Sequence, residues 1–388
     1  MRQSLREELA ALGEAQRLRV RPVIDSTNGR VILLRDGGAR RKLINWASND
    51  YLAAATRRPV RNAATRAVRQ FGAGAGAARL LAGGLRLHRQ LEIRLSHWLG
   101  TQDALLTTTG FQANLAVLVA LAPHPEDVII LDRLCHASTY DGARLAGGTL
   151  LRFTHNDLAD LERQLARSAG APLRLVCVES VYSMDGDEAP LVAIQALCRA
   201  HGALLVVDEA HAIGVLGPGG RGLCAELGVD ADIRIGTCSK SLGSQGGFIA
   251  GDSELIELCV NRGRSFIFST APVPAAVGAA LGTLDVLRAD PTLPGLLLAA
   301  AAELRAGLIA QGWDIPPGRA AIIPVTVGDE AAALGLATRL REAGHYAPAI
   351  RPPTVAAGSC RLRLTVTLAH RAADRRRLLA AMARLRPS

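Results

Sequence analysis

Between residues 104 and 239, strand-length apolar runs alternate with helical stretches, and this pattern constrains the fold more than any other feature of the chain. The runs are ALLTTT (104–109), VIILD (128–132), LRLVCVES (173–180), ALLVVDEAH (203–211) and IRIGTCS (233–239). Helices are expected near 112–122, 136–145 and 190–201. Nearly continuous Val, Ile and Leu marks strands buried on both faces rather than half-buried ones. Strand, helix, strand in this order requires right-handed crossovers, so the expected fold class is α/β: a mostly parallel central sheet covered by helices, with a smaller C-terminal α+β domain. The expected division is 1–45, an N-terminal helix and extended segment with a turn at Asp36-Gly37-Gly38; 46–273, the large α/β domain; and 274–388, the small one. In such sheets ligands sit beyond the C-terminal ends of the strands.

The polar residues that end these runs are the candidates for chemistry. Asp208 closes a run of Leu and Val, where a carboxylate needs a partner; it is either a structural ion pair or a functional acid, and His211 follows it by one short step. Lys240 lies in T-C-S-K-S-L-G-S-Q-G-G, a turn of small residues. All but two of the 45 basic residues are arginine, the exceptions being Lys42 and Lys240. An amine that must lose its proton and form an imine has to be lysine, because arginine cannot. T-T-T-G-F-Q-A-N (107–114) places Thr109, Gly110 and Phe111 at a helix start, as a plain cap or as a phosphate site. His136 follows VIILD, and Glu179 and Ser183 follow the next run, where turn chemistry is the alternative. Taken together these residues offer a phosphate cup, a neighbour for a flat ring, a carboxylate and an imine-forming amine, which is the set that pyridoxal phosphate needs.

Composition narrows the alternatives. The net charge of +10 could attract coenzyme A, an acidic carrier protein or nucleic acid, or reflect an arginine-rich composition alone. With aromatics at 3% and no recognition motif, no nucleic-acid partner is expected. No run reaches the roughly 18 apolar residues of a membrane span, and the charged N-terminus lacks an apolar leader, so no membrane association is expected. Seven scattered cysteines without CxxC spacing suit free thiols in a cytoplasmic enzyme and offer no metal site.

The ordered motifs S-N-D-Y-L (48–52), T-G-F-Q-A-N (109–114), H-N-D-L (155–158), S-M-D-G-D (183–187), D-E-A-H (208–211) and S-K-S-L-G (239–243) resemble those of the α-oxoamine synthases, fold-type-I pyridoxal-phosphate enzymes. The resemblance spans about Ser48 to His370. It implies that Lys240 carries the cofactor and moves protons at the substrate α-carbon, that Asp208 pairs with the pyridine nitrogen, and that His136 stacks on the ring. It also implies that His211 and Ser183 approach the phenolic oxygen, and that Gly110, Phe111 and Thr237 help hold the cofactor. Ser269 and Thr270 resemble residues lent to a neighbouring subunit's phosphate site, which implies a homodimer. Asn49 lies near the substrate, and His88 matches a histidine near the active site. The stretch A-I-R-P-P-T-V-A-A-G (349–358) resembles the branch that condenses L-alanine with a pimeloyl thioester, on coenzyme A or acyl carrier protein, in biotin biosynthesis; relatives that use glycine differ there. It implies that Arg351 holds the amino-acid carboxylate and that Thr354 contacts substrate. The N-terminal arginine that meets the acyl substrate in the family aligns with Leu18, with Arg17 or Arg19 beside it as the replacement, and Ala356 stands where the motif usually has proline.

Overall fold

The structure is a computed structural model that describes residues 2–14, 17–18, 21–36 and 38–386. Its centre is a sheet of seven strands, in the order 103–107, 247–251, 233–237, 204–208, 174–179, 128–132, 149–153. Every neighbouring pair is parallel except those made by 247–251, which runs antiparallel to both its neighbours. Two of these strands are not marked by apolar runs. Thr149–Phe153 is an edge strand, largely open to solvent, and Gly247–Gly251 (GFIAG) continues a glycine-rich turn.

The period-2 alternation of each strand divides its side chains between two cores. Ile129, Leu131, Val206, Ile235 and Ile249 face one core, with helix Gly110–Leu121 packed over them. Ile130, Val176, Val207 and Phe248 face the other, which is continuous with helices Arg86–Leu99 and Pro274–Ala289. Covered on both faces, a sheet of this kind binds ligands at its C-terminal strand ends.

The smaller unit has a sheet of strands 322–328, 360–365 and 349–350, with helices 293–310, 330–342 and 372–385. The extended segment before residue 46 joins it: strand Ala39–Asn45 pairs with His345–Tyr346, and Arg30 is bonded to Asp374 at 2.8 Å. Helix Pro274–Ala289, expected to open the small domain, packs along Arg58–Phe71 of the large unit. Its Gly278 and Gly282 make this close approach possible, because a methyl at either would press on Ala63. Helix Arg2–Glu14 exposes its described side chains. Of the expected turn at 36–38, Gly37 lies outside the described residues.

Residues 46–51 strap the two units together. Trp46 stacks on His370 at 3.9 Å and donates to His345 Nδ1 at 3.0 Å. Thr365 and Leu368 donate backbone bonds to the carbonyls of Trp46 and Tyr51. Among the described residues one helix, Leu293–Ala310, is long and apolar enough to cross a membrane; it packs on helix 372–385, and its Arg305 donates to the carbonyls of Pro316 and Ile322. All seven cysteines are buried and unpaired.

Candidate active site

Glu179, Asp208 and Thr237 end three adjacent parallel strands, with Glu179 in register opposite Asp208. Lys240 lies in the turn just after Thr237, and the loops that follow strands 103–107 and 128–132 bring Gly110 and His136 to the same edge, around a cavity of about 220 Å³. Asp208 is held at both oxygens: Asn114 Nδ2 donates to Oδ2 and the Ala210 amide to Oδ1, each at 2.9 Å. Asn114 is in turn fixed by Ser138 and Thr139.

Lys240 Nζ lies 3.0 Å from His211 Nε2, and His211 Nδ1 lies 2.6 Å from the Tyr51 hydroxyl. Burial brings the Lys240 amine down to about 8, against the opposing pull of Asp208 and Glu179. Burial, reinforced by Lys240 and Arg363, keeps His211 well below its ordinary range, so it is a neutral ring. With Lys240 protonated, the ammonium donates to Nε2, which leaves the ring proton on Nδ1 to donate to the Tyr51 oxygen.

Opposite the lysine, Thr109 caps helix Gly110–Leu121 by accepting from the Gln112 amide at 3.1 Å. The next amides, of Gly110 and Phe111, begin the helix and line the cavity, a natural seat for an anion. Thr237 Oγ1 donates to the Gly246 carbonyl at 2.8 Å and accepts from the Ser239 amide, which shapes the turn that presents Lys240. His136 caps helix Ala137–Leu145, with Phe111 edge-on to its ring at 6.4 Å; burial lowers its proton affinity. Burial and then Asp208 push Glu179 up to about 8, and its Oε1 has no partner.

The remaining expected residues divide into two groups. Asn49 and Ser183 do not line the lysine cavity but are tied to each other by a residue that the sequence did not single out. Arg363, buried on strand Cys360–Thr365, donates to Asn49 Oδ1 at 3.1 Å and to the Ser183 carbonyl at 2.6 Å, and its charge acts on Tyr51, His211 and Lys240. Arg351 instead pairs with Glu330 at 3.0 Å and does not line the lysine cavity. Thr354 and Ser183 line a second cavity of about 560 Å³, together with Tyr182, Met184, Pro316 and Arg361. Ser269 and Thr270 sit beside the helix start in the same chain, accepting from Gln112 Nε2 (2.9 Å) and Thr108 Oγ1 (3.0 Å) respectively. His88 is wholly buried, with its Nε2 2.8 Å from the Pro272 carbonyl, and lines neither cavity. Arg17 is exposed, and Arg19 lies outside the described residues.

A buried amine and an anchored carboxylate around one cavity, with a helix start on its wall at the C-terminal edge of such a sheet, define an aminotransferase-like protein. Residues 41–382 match the family Aminotransferase class I and II, and the chain belongs to it. Within that family it belongs with the 8-amino-7-oxononanoate synthases. A relative of that name from Anaeromyxobacter dehalogenans (strain 2CP-1) is 47% identical over 89% of this chain and 87% of its own length. One from Geobacter sulfurreducens is 42% identical over 96% of this chain and 97% of its own. Among solved structures, a serine palmitoyltransferase from Sphingomonas wittichii superposes with a TM-score of 0.91 at 33% identity, covering 98% of this chain and 96% of that one. An SPT structure with PLP gives 0.92 at 30% identity, with the same coverage. An 8-amino-7-oxononanoate synthase from Francisella tularensis, 22% identical with a TM-score of 0.76 over 88% of this chain and 97% of that one, shares the fold.

Proposed function

We infer that this chain joins L-alanine to a pimeloyl thioester, with loss of carbon dioxide and the thiol, to give 8-amino-7-oxononanoate for biotin synthesis. The observation that carries the reading is the pairing of Lys240 and Asp208 across one small cavity that also holds a helix start. These residues fit pyridoxal phosphate: an amine brought down to about 8, a doubly anchored carboxylate, and unused amides at Gly110 and Phe111. When bound, that group supplies an aromatic ring that accepts the electron pair of the substrate α-carbon.

The chain's own residues do the rest. Lys240 would hold the cofactor covalently and serve as the base that takes and returns the substrate α-proton. Asp208 would pair with its ring nitrogen, His136 would cover the ring, and His211 and Ser183 would serve its phenolic oxygen. Gly110, Phe111 and Thr237 would hold its phosphate. Ser269 and Thr270 of a second copy would complete that end in a homodimer; the neighbouring Phe268, 71% exposed, supports such an interface. For the alanine carboxylate we favour Arg363 with Asn49 over Arg351, because the Arg363 charge acts on His211 and Lys240. The larger cavity beyond Ser183, walled by Tyr182, Met184 and Pro316 and reached by Thr354, suits the acyl thioester. The unpaired cysteines support a reducing, cytoplasmic setting.

The test is product identification by mass spectrometry. Alanine or glycine is offered with pimeloyl, acetyl and succinyl thioesters on coenzyme A or carrier protein. Alanine with pimeloyl thioester should give the product, and the better carrier identifies the acyl donor. Turnover of glycine with a short acyl group instead would overturn the substrate assignment. A purified protein with no visible cofactor band, in wild type as in Lys240→Ala, would overturn the cofactor assignment.

A further inference from the structure

Two motifs far apart in sequence, H-N-D (155–157) and D-G-D (185–187), meet around one imidazole. His155 Nδ1 lies 3.0 Å from Asp132 Oδ1, and His155 Nε2 lies 2.7 Å from Asp187 Oδ2. A ring with a carboxylate at each nitrogen must donate from both, so it carries a positive charge. The two carboxylates hold its proton up to about 10 despite partial burial. Asn156, in the left-handed conformation (φ 55°), completes the knot. Its amide donates to Asp132 Oδ2 at 2.9 Å and its Nδ2 to Asp187 Oδ2 at 3.1 Å. Tyr182 closes over the ring edge-on at 4.4 Å.

The two aspartates sit at the roots of the loops that carry active-site residues. Asp132, fully buried, also accepts from the Leu134 amide at 2.8 Å, which sets the turn that leads to His136. Asp187 closes the turn that begins at Ser183, with the Tyr182 amide donating to the Asp187 carbonyl at 3.0 Å. The far side of this second turn is tied to the smaller unit, where Arg363 donates to the Ser183 carbonyl and Arg361 pairs with Asp185.

We propose that His155 is a positioning residue: a charged bridge that fixes the spacing between the His136 loop and the Ser183 loop, and through it the width of the slot that takes the cofactor ring and the amino acid. The proposal rests on the functional reading above. His155 and Asp187 also line the larger cavity, and the proposal assigns to H-N-D a role beyond that wall and apart from proton transfer. His155→Gln keeps a donor toward one carboxylate but cannot bridge both, and Asp187→Asn keeps an acceptor for Nε2 but removes the charge that helps hold the ring cationic.

The experiment uses purified holoenzyme. Melting temperature, the absorbance and circular dichroism of bound cofactor, and KM for alanine and kcat are measured separately for wild type, both single variants and the double variant. His155→Gln should remain folded, alter the cofactor's dichroism, and lower kcat/KM for alanine by roughly ten- to a hundredfold, the scale of a small misplacement. Asp187→Asn should reproduce this, and the double variant should be no worse than either single variant, as expected for one shared bridge. A variant that melts earlier but keeps the wild-type dichroism and KM would show His155 to be merely structural and overturn the proposal; additive losses would do the same. Should His155→Gln fail to fold, Asp187→Asn at the more exposed end decides by the same readouts. A wild type without cofactor or turnover would sink the functional reading itself, a result distinct from wild-type behaviour in the variants.

Discussion

Lys240 is held in its cavity at a thermodynamic cost. Its folded-state proton affinity lies at about 8 against an ordinary 10.5. The unfolded chain therefore binds the proton more tightly, and the penalty is fully present below pH 8 and relieved between 8 and 10.5. Lys240→Met should stabilise the cofactor-free protein at pH 7 by about 1–3 kcal/mol, a gain that vanishes above pH 10.5. Denaturant titrations of the cofactor-free form at two pH values check this, and a gain that grew with pH would contradict it. Arg363→Ala should raise KM for alanine by roughly ten- to a hundredfold, the worth of a charged hydrogen-bonded pair, whereas Arg351→Ala should change it little; steady-state kinetics of the two variants decide between these anchors. The lysine was legible in the sequence because the chain otherwise avoids lysine. Arg363 was not, since in an arginine-rich chain nothing local distinguishes it: R-L-R-L-T places it inward only once the strand's neighbours are known.

Among elements, strand Gly247–Gly251 is the least visible in sequence and among the most constrained in space. A methyl at Gly247 would lie 2.4 Å from the Thr109 carbonyl oxygen and 2.5 Å from the Gly110 nitrogen, the start of the proposed phosphate-binding helix. At Gly236, on the next strand, it would enter the Phe248 ring at 2.1 Å. Gly247→Ala should therefore cost about 1–3 kcal/mol of stability from overpacking and weaken retention of pyridoxal phosphate, read by dialysis and absorbance. Gly236→Ala should lower stability while leaving retention less affected. Strands 128–132, 174–179, 204–208 and 233–237 were legible because burial on both faces demands unbroken apolar sequence. GFIAG was not, because glycines that permit close packing look like glycines that make turns. The edge strand 149–153 was missed for the opposite reason: little of it is buried, so its sequence is free to vary.

At the scale of the whole molecule, the strap 46–51 makes one site out of two units. Trp46 is fully buried between His345 and His370, and the same strap carries Asn49 and Tyr51 to Arg363 and His211. Trp46→Ala should cost about 3–5 kcal/mol and raise KM for alanine along with it, a pairing that differential scanning calorimetry and kinetics on one preparation would reveal. The sheet and the order of its crossovers could be read from residue pattern, but the partition of the ends could not. Strand 39–45 pairs with residues three hundred positions away, and helix 274–289 turns back onto 58–71; no local signal encodes either choice. The placement of the cysteines has a practical consequence. With every native thiol shielded in the interior, a single cysteine placed on the exposed face of helix 330–342 would be the one handle a maleimide dye finds on the folded protein. A second on the rim of the large unit would turn the pair into a ruler, reporting by energy transfer whether the smaller unit moves when alanine arrives.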